Sequence, residues 1–131
     1  MDSTATSQAF VLTAEAISRL RVEALGSIVG VKHRVVWRTD RSMAGVMTVE
    51  GGHRLGTHRH RANQHHMWVL HGHARILGVE VGPGSYAYVP SGADHDIDAS
   101  ETEGCTVLYL YLSPDEETAT PEEAAGDAAH A

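Results

Sequence analysis

Six short runs, VKHRVVW, MAGVMTV, HMWVL, ARILGVEV, SYAYVP and TVLYLYL, follow one another through the middle of the chain. Each is rich in β-branched and aromatic residues. Each is cut off by turn chemistry, and the separators TDRS, EGG, HG, GPG, SGAD and SETEG recur at intervals of about ten residues. Strands this short and this evenly spaced bury their apolar faces by packing sheet on sheet or by closing on themselves, so the expected fold is all-β, a sandwich or a barrel. With 131 residues, 42% of them hydrophobic, the chain has the size of one domain with its own core. Ahead of the strands, TAEAISRLRVEAL offers Thr13 as an N-cap and apolar residues at 17, 20, 22 and 25, which predicts one short helix ending at Gly26.

The formal net charge of −7 is unevenly placed. Residues 113–131 hold six acids and no Lys or Arg, leaving 11 acids against 10 bases in the rest of the chain. The tail has almost nothing to bury and reads as a disordered acidic extension. The body is nearly neutral and carries no basic stripe, which argues against nucleic acid as the main partner. No apolar run approaches the roughly 20 residues that span a bilayer, and the N-terminus lacks a basic segment followed by an apolar one. Cys105 is the single cysteine and cannot form an internal disulfide. The expectation is a cytoplasmic protein that does not use a membrane.

Chemistry is concentrated in residues 58–66, HRHRANQHH, where four of the ten histidines fall within nine positions. In an extended strand His58 and His60 project from one face about 6.6 Å apart, close enough to reach one ion, and Arg59 faces the other way. The run that follows, HHMWVLHG, comes after a short turn, and one of its first residues is expected to fold back beside the pair. His95 arrives beyond a further hairpin, at the end of PSGADH. A metal site assembled from three strands has this pattern. His33, His53, His71, His73 and His130, each solitary, read as surface or satisfied core residues.

The glycine and proline framework around these histidines resembles the cupin family, whose small β-barrel carries two signature stretches. In the first, Gly52, His58, His60 and Gly72 stand in register and His65 takes the place of a glutamate. In the second, Gly84, Pro90, Gly92 and His95 match, and Ala99 stands where an asparagine is usual. The resemblance covers roughly residues 26–112. It implies a cupin (RmlC-like) β-barrel, a jelly roll, over 26–112, preceded by an extension over 1–25 with its possible helix and followed by the acidic tail over 113–131. It also implies one divalent metal ion per chain, held by His58, His60, His65 and His95. Gln64 and His66 remain alternatives to His65 should a bulge shift the strand.

Four imidazoles in place of three and a carboxylate leave the ion's charge uncompensated and raise its Lewis acidity. Imidazole suits zinc, copper, iron and nickel, the resemblance implies iron, zinc, nickel or manganese as the ion, and the absence of a ligand carboxylate weighs against the two-histidine, one-carboxylate iron oxygenases. The stretches GVKHRVVWRTDRSMAGVMTVEGG, GPGSYAYVPSGADHDI and EGCTVLYLYL look most like the branch holding the metal-binding domain of certain bacterial anti-sigma factors and small diketone-cleaving dioxygenases. An anti-sigma factor of that kind also has an N-terminal helical domain that clamps its sigma factor, for which this chain has no room. Three functions follow: a dioxygenase-type enzyme acting on a small oxygenated metabolite in the barrel mouth; a Lewis-acid isomerase, lyase or hydrolase on the same site; or a sensor of metal or small molecules without turnover. A small-molecule partner and a homodimer are expected. Asp94 and Asp96 flank His95 as candidate acceptors from its ring. Tyr86, Tyr88, Trp68, Met67, Tyr109 and Tyr111 alternate between interior and exterior, and Cys105 reads as a small buried hydrophobe.

Overall fold

A computed structural model describes residues 8–24, 28–59 and 63–113, the side chains of 56–59 excepted. The acidic stretch 114–131, the predicted helix end at Gly26, and His60 lie outside the described residues. Thr13 caps a helix as expected, its hydroxyl accepting from the Ala16 N–H at 3.0 Å. That helix, α1, spans only Ala14–Ser18, and the chain re-enters extended structure at Glu23–Ala24 (β1). None of its residues is buried, so no apolar face is anchored to carry it further.

The strands are β2 (Val31–Arg38), β3 (Met43–Val49), β4 (Arg54–Arg59), β5 (Gln64–Gly72), β6 (Ala74–Ile76), β7 (Val79–Val81), β8 (Tyr86–Val89), β9 (Asp94–Ala99) and β10 (Cys105–Leu112). They form a six-stranded antiparallel sheet in the order β1-β2-β3-β10-β5-β8 and a four-stranded one in the order β4-β9-β6-β7. Val31, Met47, Val49, Met67, Val69 and Val107 from the larger sheet meet Leu55, Ala74, Ile76, Ile97 and Ala99 from the smaller in one buried cluster. The period-2 alternation of each strand puts these residues between the sheets. This is the all-β cupin architecture expected.

Two further elements differ from the sequence expectation. The run ARILGVEV is a hairpin, because Leu77 and Gly78 both take left-handed backbone (φ 52° and 78°) and reverse the chain between β6 and β7. A two-residue turn with positive φ at both positions matches the twist of the strands it joins, and an apolar Leu in the first position disguises it. The acid-rich DHDIDA is a full strand, β9, central to the smaller sheet; only His95, Ile97 and Ala99 face inward. Pro90 sits where β8 ends, and Gly72, Gly84 and Gly92 have positive φ, as their corner positions require. Among the described residues no helix is long and apolar enough to cross a membrane.

Cys105 is 2% exposed, and burial pushes its thiol up to about 11. Alkylation by iodoacetamide at about pH 8 is expected to be at least ~100-fold slower in the folded protein than in urea, because the unfolded thiol ionises near pH 8.5. The raised value also fixes a sign. The neutral thiol's contribution to stability is complete below about pH 8.5 and is lost as pH climbs toward 11.

Candidate metal centre

Alternation along β5 turns His65, Met67 and Val69 into the barrel and His66 and Trp68 away from it. On β9 the same rule turns His95 inward, in line with Ile97 and Ala99. The two sheets therefore deliver one imidazole each to the same end of the core. His65 and His95 are 1% and 2% exposed, and His65 Nδ1 lies 3.1 Å from His95 Nε2. Their rings meet nearly edge to face, with centroids 4.8 Å apart. At that nitrogen separation one ring presents a lone pair to the other's N–H, a hydrogen bond between the two imidazoles.

His58 lies on β4 at the register position directly opposite His95, just past a shift between Leu55 and His58. Its side chain and the whole of His60 fall outside the described residues. Of the four expected ligands the described side chains are thus those of His65 and His95, and these two are brought together. Among the described residues no group of three or more His, Cys, Asp or Glu side chains is gathered for a metal ion.

The alternatives to His65 sit elsewhere. His66 Nδ1 lies 2.6 Å from the Tyr86 hydroxyl and its Nε2 lies 2.8 Å from Gln64 Oε1, in an outer-face cluster with Trp68 and Tyr88. Partial burial there pushes the His66 imidazole below its ordinary value. Gln64 Nε2 donates to the Ser113 carbonyl at 3.2 Å. Asp94 and Asp96, expected as acceptors from His95, alternate to the opposite face of β9. Asp96 accepts from the Leu77 N–H at 3.2 Å and stands 4.0 Å from the Arg54 guanidinium.

Tyrosines wall the imidazole pair on the inner side. The Tyr111 ring lies 4.3 Å from His65 between centroids, and Tyr109 lies 4.8 Å from Tyr111. Desolvation raises both phenols, Tyr111 to about 12, so both are neutral hydrogen-bonding groups at physiological pH. Of the solitary histidines, His33 is a satisfied core residue: it is buried, with Nδ1 2.7 Å from the Tyr109 hydroxyl. It lies on the inward register of β2, opposite Met47. Tyr111 also reaches a cavity of about 560 Å³ shared with Met43 and, toward solvent, with the β2–β3 turn.

Residues 11–113 match the family described as the ChrR cupin-like domain. The chain belongs to that family. Its cupin fold is shared with solved structures. The anti-sigma ChrR of Rhodobacter sphaeroides, in complex with SigE, aligns with a TM-score of 0.62 and 22% identity over 72% of this chain and 49% of the matched one. The chain thus spans about half the length of that cupin-containing chain. The polyketide cyclase RemF from Streptomyces resistomycificus gives 0.67 and 18% identity, covering 90% and 89% of the two chains. An RmlC-like cupin from Shewanella frigidimarina gives 0.65 and 22%, covering 84% and 95%. No curated protein matches the cupin sequence.

Proposed function

We propose that this cupin holds one divalent ion, iron, zinc, nickel or manganese, on His58, His60, His65 and His95, and acts on a small oxygenated molecule in the barrel mouth by dioxygenase-type chemistry. The observation that carries the proposal is the buried His65–His95 pair with its nitrogens 3.1 Å apart. Two imidazole nitrogens on one ion at about 2.1 Å each lie roughly 3.0–3.4 Å from one another, a range that includes this separation, and an ion would take the place of the proton the two rings share. The opposition of His58 and His95 in the β4–β9 register supports the third ligand, since partners across an antiparallel pair share a face.

A redox-active ion there supplies an electron partner for O₂ and a Lewis acid for a substrate oxygen; a redox-inert one supplies the Lewis acid alone, for isomerase, lyase or hydrolase chemistry. The chain's own part is to position and to exclude water. His65 and His95 are locked at the base of the mouth by the Tyr111 ring and the core beneath them. His33 fixes the Tyr109 ring, which packs against Tyr111. Substrate oriented over such a fixed base gains most of its acceleration from proximity and charge stabilisation.

Membership of the ChrR cupin-like family favours a second reading, a sensor of metal or small molecules, because ChrR itself is an anti-sigma factor bound to SigE. We take residues 26–112 as the working unit, flanked by extensions over 1–25 and 113–131, acting as a cytoplasmic homodimer.

Metal content by mass spectrometry on untagged protein tests the site. About one ion per chain is expected in the wild type and in His66→Ala, and less than ~0.2 in His65→Ala and His95→Ala. Iron, nickel or manganese leads to oxygen-uptake assays with diketones, and zinc to the Lewis-acid or sensing reading. Absence of metal after reconstitution would overturn the four-histidine site.

A further inference from the structure

We propose that the outer face of the larger sheet is where two copies of this chain meet, sheet on sheet, about a twofold axis that runs along β10. The inference rests on the homodimer reading and assigns its surface. Register decides which side chains share that face, because partners across an antiparallel pair lie on one side of the sheet. One row runs from Arg34 on β2 through Val46, Leu108 and Trp68 to Tyr86 on β8. The next runs from Trp37 through Ala44, Leu110 and His66 to Tyr88. Both rows point away from the core, which is built by the residues that alternate with them, Met47, Tyr109, Met67 and Ala87.

The two sheets turn opposite chemistry outward. On the smaller sheet the row Arg54, Asp98, Arg75, Glu80 crosses all four strands, with Arg75 Nη2 2.7 Å from Glu80 Oε2 and Arg54 Nε 3.8 Å from Asp98 Oδ1. Such a ladder of charges suits a face held in water. On the larger sheet, among the described residues, β3, β10, β5 and β8 turn no Lys, Arg, Asp or Glu outward. Its cations lie on β2, where Lys32 pairs with Glu50 at 2.9 Å and Arg34 Nε donates to the Leu20 carbonyl at 3.2 Å. Tyr86 is 49% exposed, and Leu70, on the same side of β5, is 40% exposed. Aromatic residues without charges compose the centre of a protein interface rather than a wetted surface. The His66 ring nitrogens already have the Tyr86 hydroxyl and Gln64 Oε1 as partners, so covering the imidazole leaves it hydrogen-bonded.

Charge, area and symmetry point to a second copy as the occupant. The six acids of residues 113–131 do not match an apolar face. Two chains of net charge −7 approach with least repulsion where neither presents a carboxylate. Five strands about 4.8 Å apart, over about 20 Å of their length, offer roughly 500 Å² per copy and about 1,000 Å² for the pair, which suits a specific dimer of micromolar affinity. β10 is the middle strand of β2-β3-β10-β5-β8. A twofold along it lays β2 of one copy over β8 of the other, so that Arg34 meets the second copy's Tyr86 ring, Val46 meets Trp68, and Leu108 meets itself. A twofold across the strands would instead set Arg34 on Arg34, like charge on like.

Sedimentation velocity of the untagged full chain from about 1 to about 200 μM, as purified and after chelation, is the test. The wild type is expected to dimerise with a Kd of roughly 1–50 μM in both forms, since the face contains none of the proposed metal ligands. Leu108→Arg sets two guanidiniums against each other on the axis and should raise Kd at least ~100-fold, whereas Glu80→Ala on the smaller sheet should leave it unchanged. Val46→Asp and Trp68→Lys should each weaken self-association at least ~10-fold. An equimolar mixture of those two variants should associate to within about threefold of wild type, because the new carboxylate of one chain faces the new ammonium of the other. Restoration between chains is something a misfolded variant does not give. A dimer that Leu108→Arg leaves intact, or a mixture that fails to restore association, would overturn this face and axis and leave the homodimer reading standing. A wild type still monomeric at about 200 μM would overturn both.

Discussion

Gly72→Ala is expected to be the most damaging small substitution in the barrel, lowering stability by roughly 3–5 kcal/mol and the melting temperature by about 12–20 °C. Gly72 ends β5 with φ +77°, and a Cβ built there falls on the carbonyl oxygen of Gly104, well inside contact distance, and 3.2 Å from the Cα of Cys105. Both neighbours are backbone at the start of β10, and neither can step aside without breaking the register that pairs Cys105 with Gly72 on one side and Val49 on the other. Gly52→Ala provides the control. Gly52 has nearly the same φ, +78°, with nothing within 4 Å of its Cβ position, so only the conformational cost of about 1–2 kcal/mol should be seen. Thermal unfolding of the two variants separates backbone strain from the close approach of two strands; equal losses would show that the contact with Gly104 is unimportant.

Ile97→Ala comes next, at about 3–4 kcal/mol in urea unfolding with an unchanged slope, against about 1 kcal/mol for Ile97→Val. Ile97 has no exposed surface and lies opposite Leu55 on one neighbouring strand and Ile76 on the other, so a cavity there has lining on three sides and little room to collapse. Leu55 and Ile97 touch across the β4–β9 pair, and the double variant should depart from additivity by about 0.5–3 kcal/mol. The substitution also reaches the candidate site, since Ile97 is two residues from His95 on one inward face. Loss of metal on chelator challenge should be faster in Ile97→Ala than in Ile97→Val. If both variants retain metal equally, β9 does not depend on this side chain to hold His95 in place.

The barrel was legible because turn residues fall at even intervals and because glycine and proline sit at corners that need them. The same evenness concealed β9. SGAD read as turn chemistry, and of the alternate residues that follow, His95, Ile97 and Ala99, only Ile97 is a large apolar side chain, too sparse a face to announce a strand. ARILGVEV hid its reversal because Leu77 occupies a position where glycine or asparagine would have marked a turn. Local propensity carried the helix from Thr13 well past Ser18, but nothing in the tertiary structure buries it. At the site, alternation was enough to separate His65 from His66, whereas the partnership of His33 with Tyr109 joins residues 76 apart and is set by strand order, which no local pattern contains.

The strand order has a further bearing on how the molecule is made. β10, the final strand described, lies in the middle of the larger sheet between β3 and β5. As the polypeptide leaves the ribosome, β2 and β3 can close as a hairpin and β5 can find β8, but the two halves have no common seam until residues 105–112 emerge. Until then each half exposes an open edge and one side of the core. Closure of the larger sheet thus waits for one contact-rich strand that arrives between two partners already made, and until it does their open edges are free to pair wrongly.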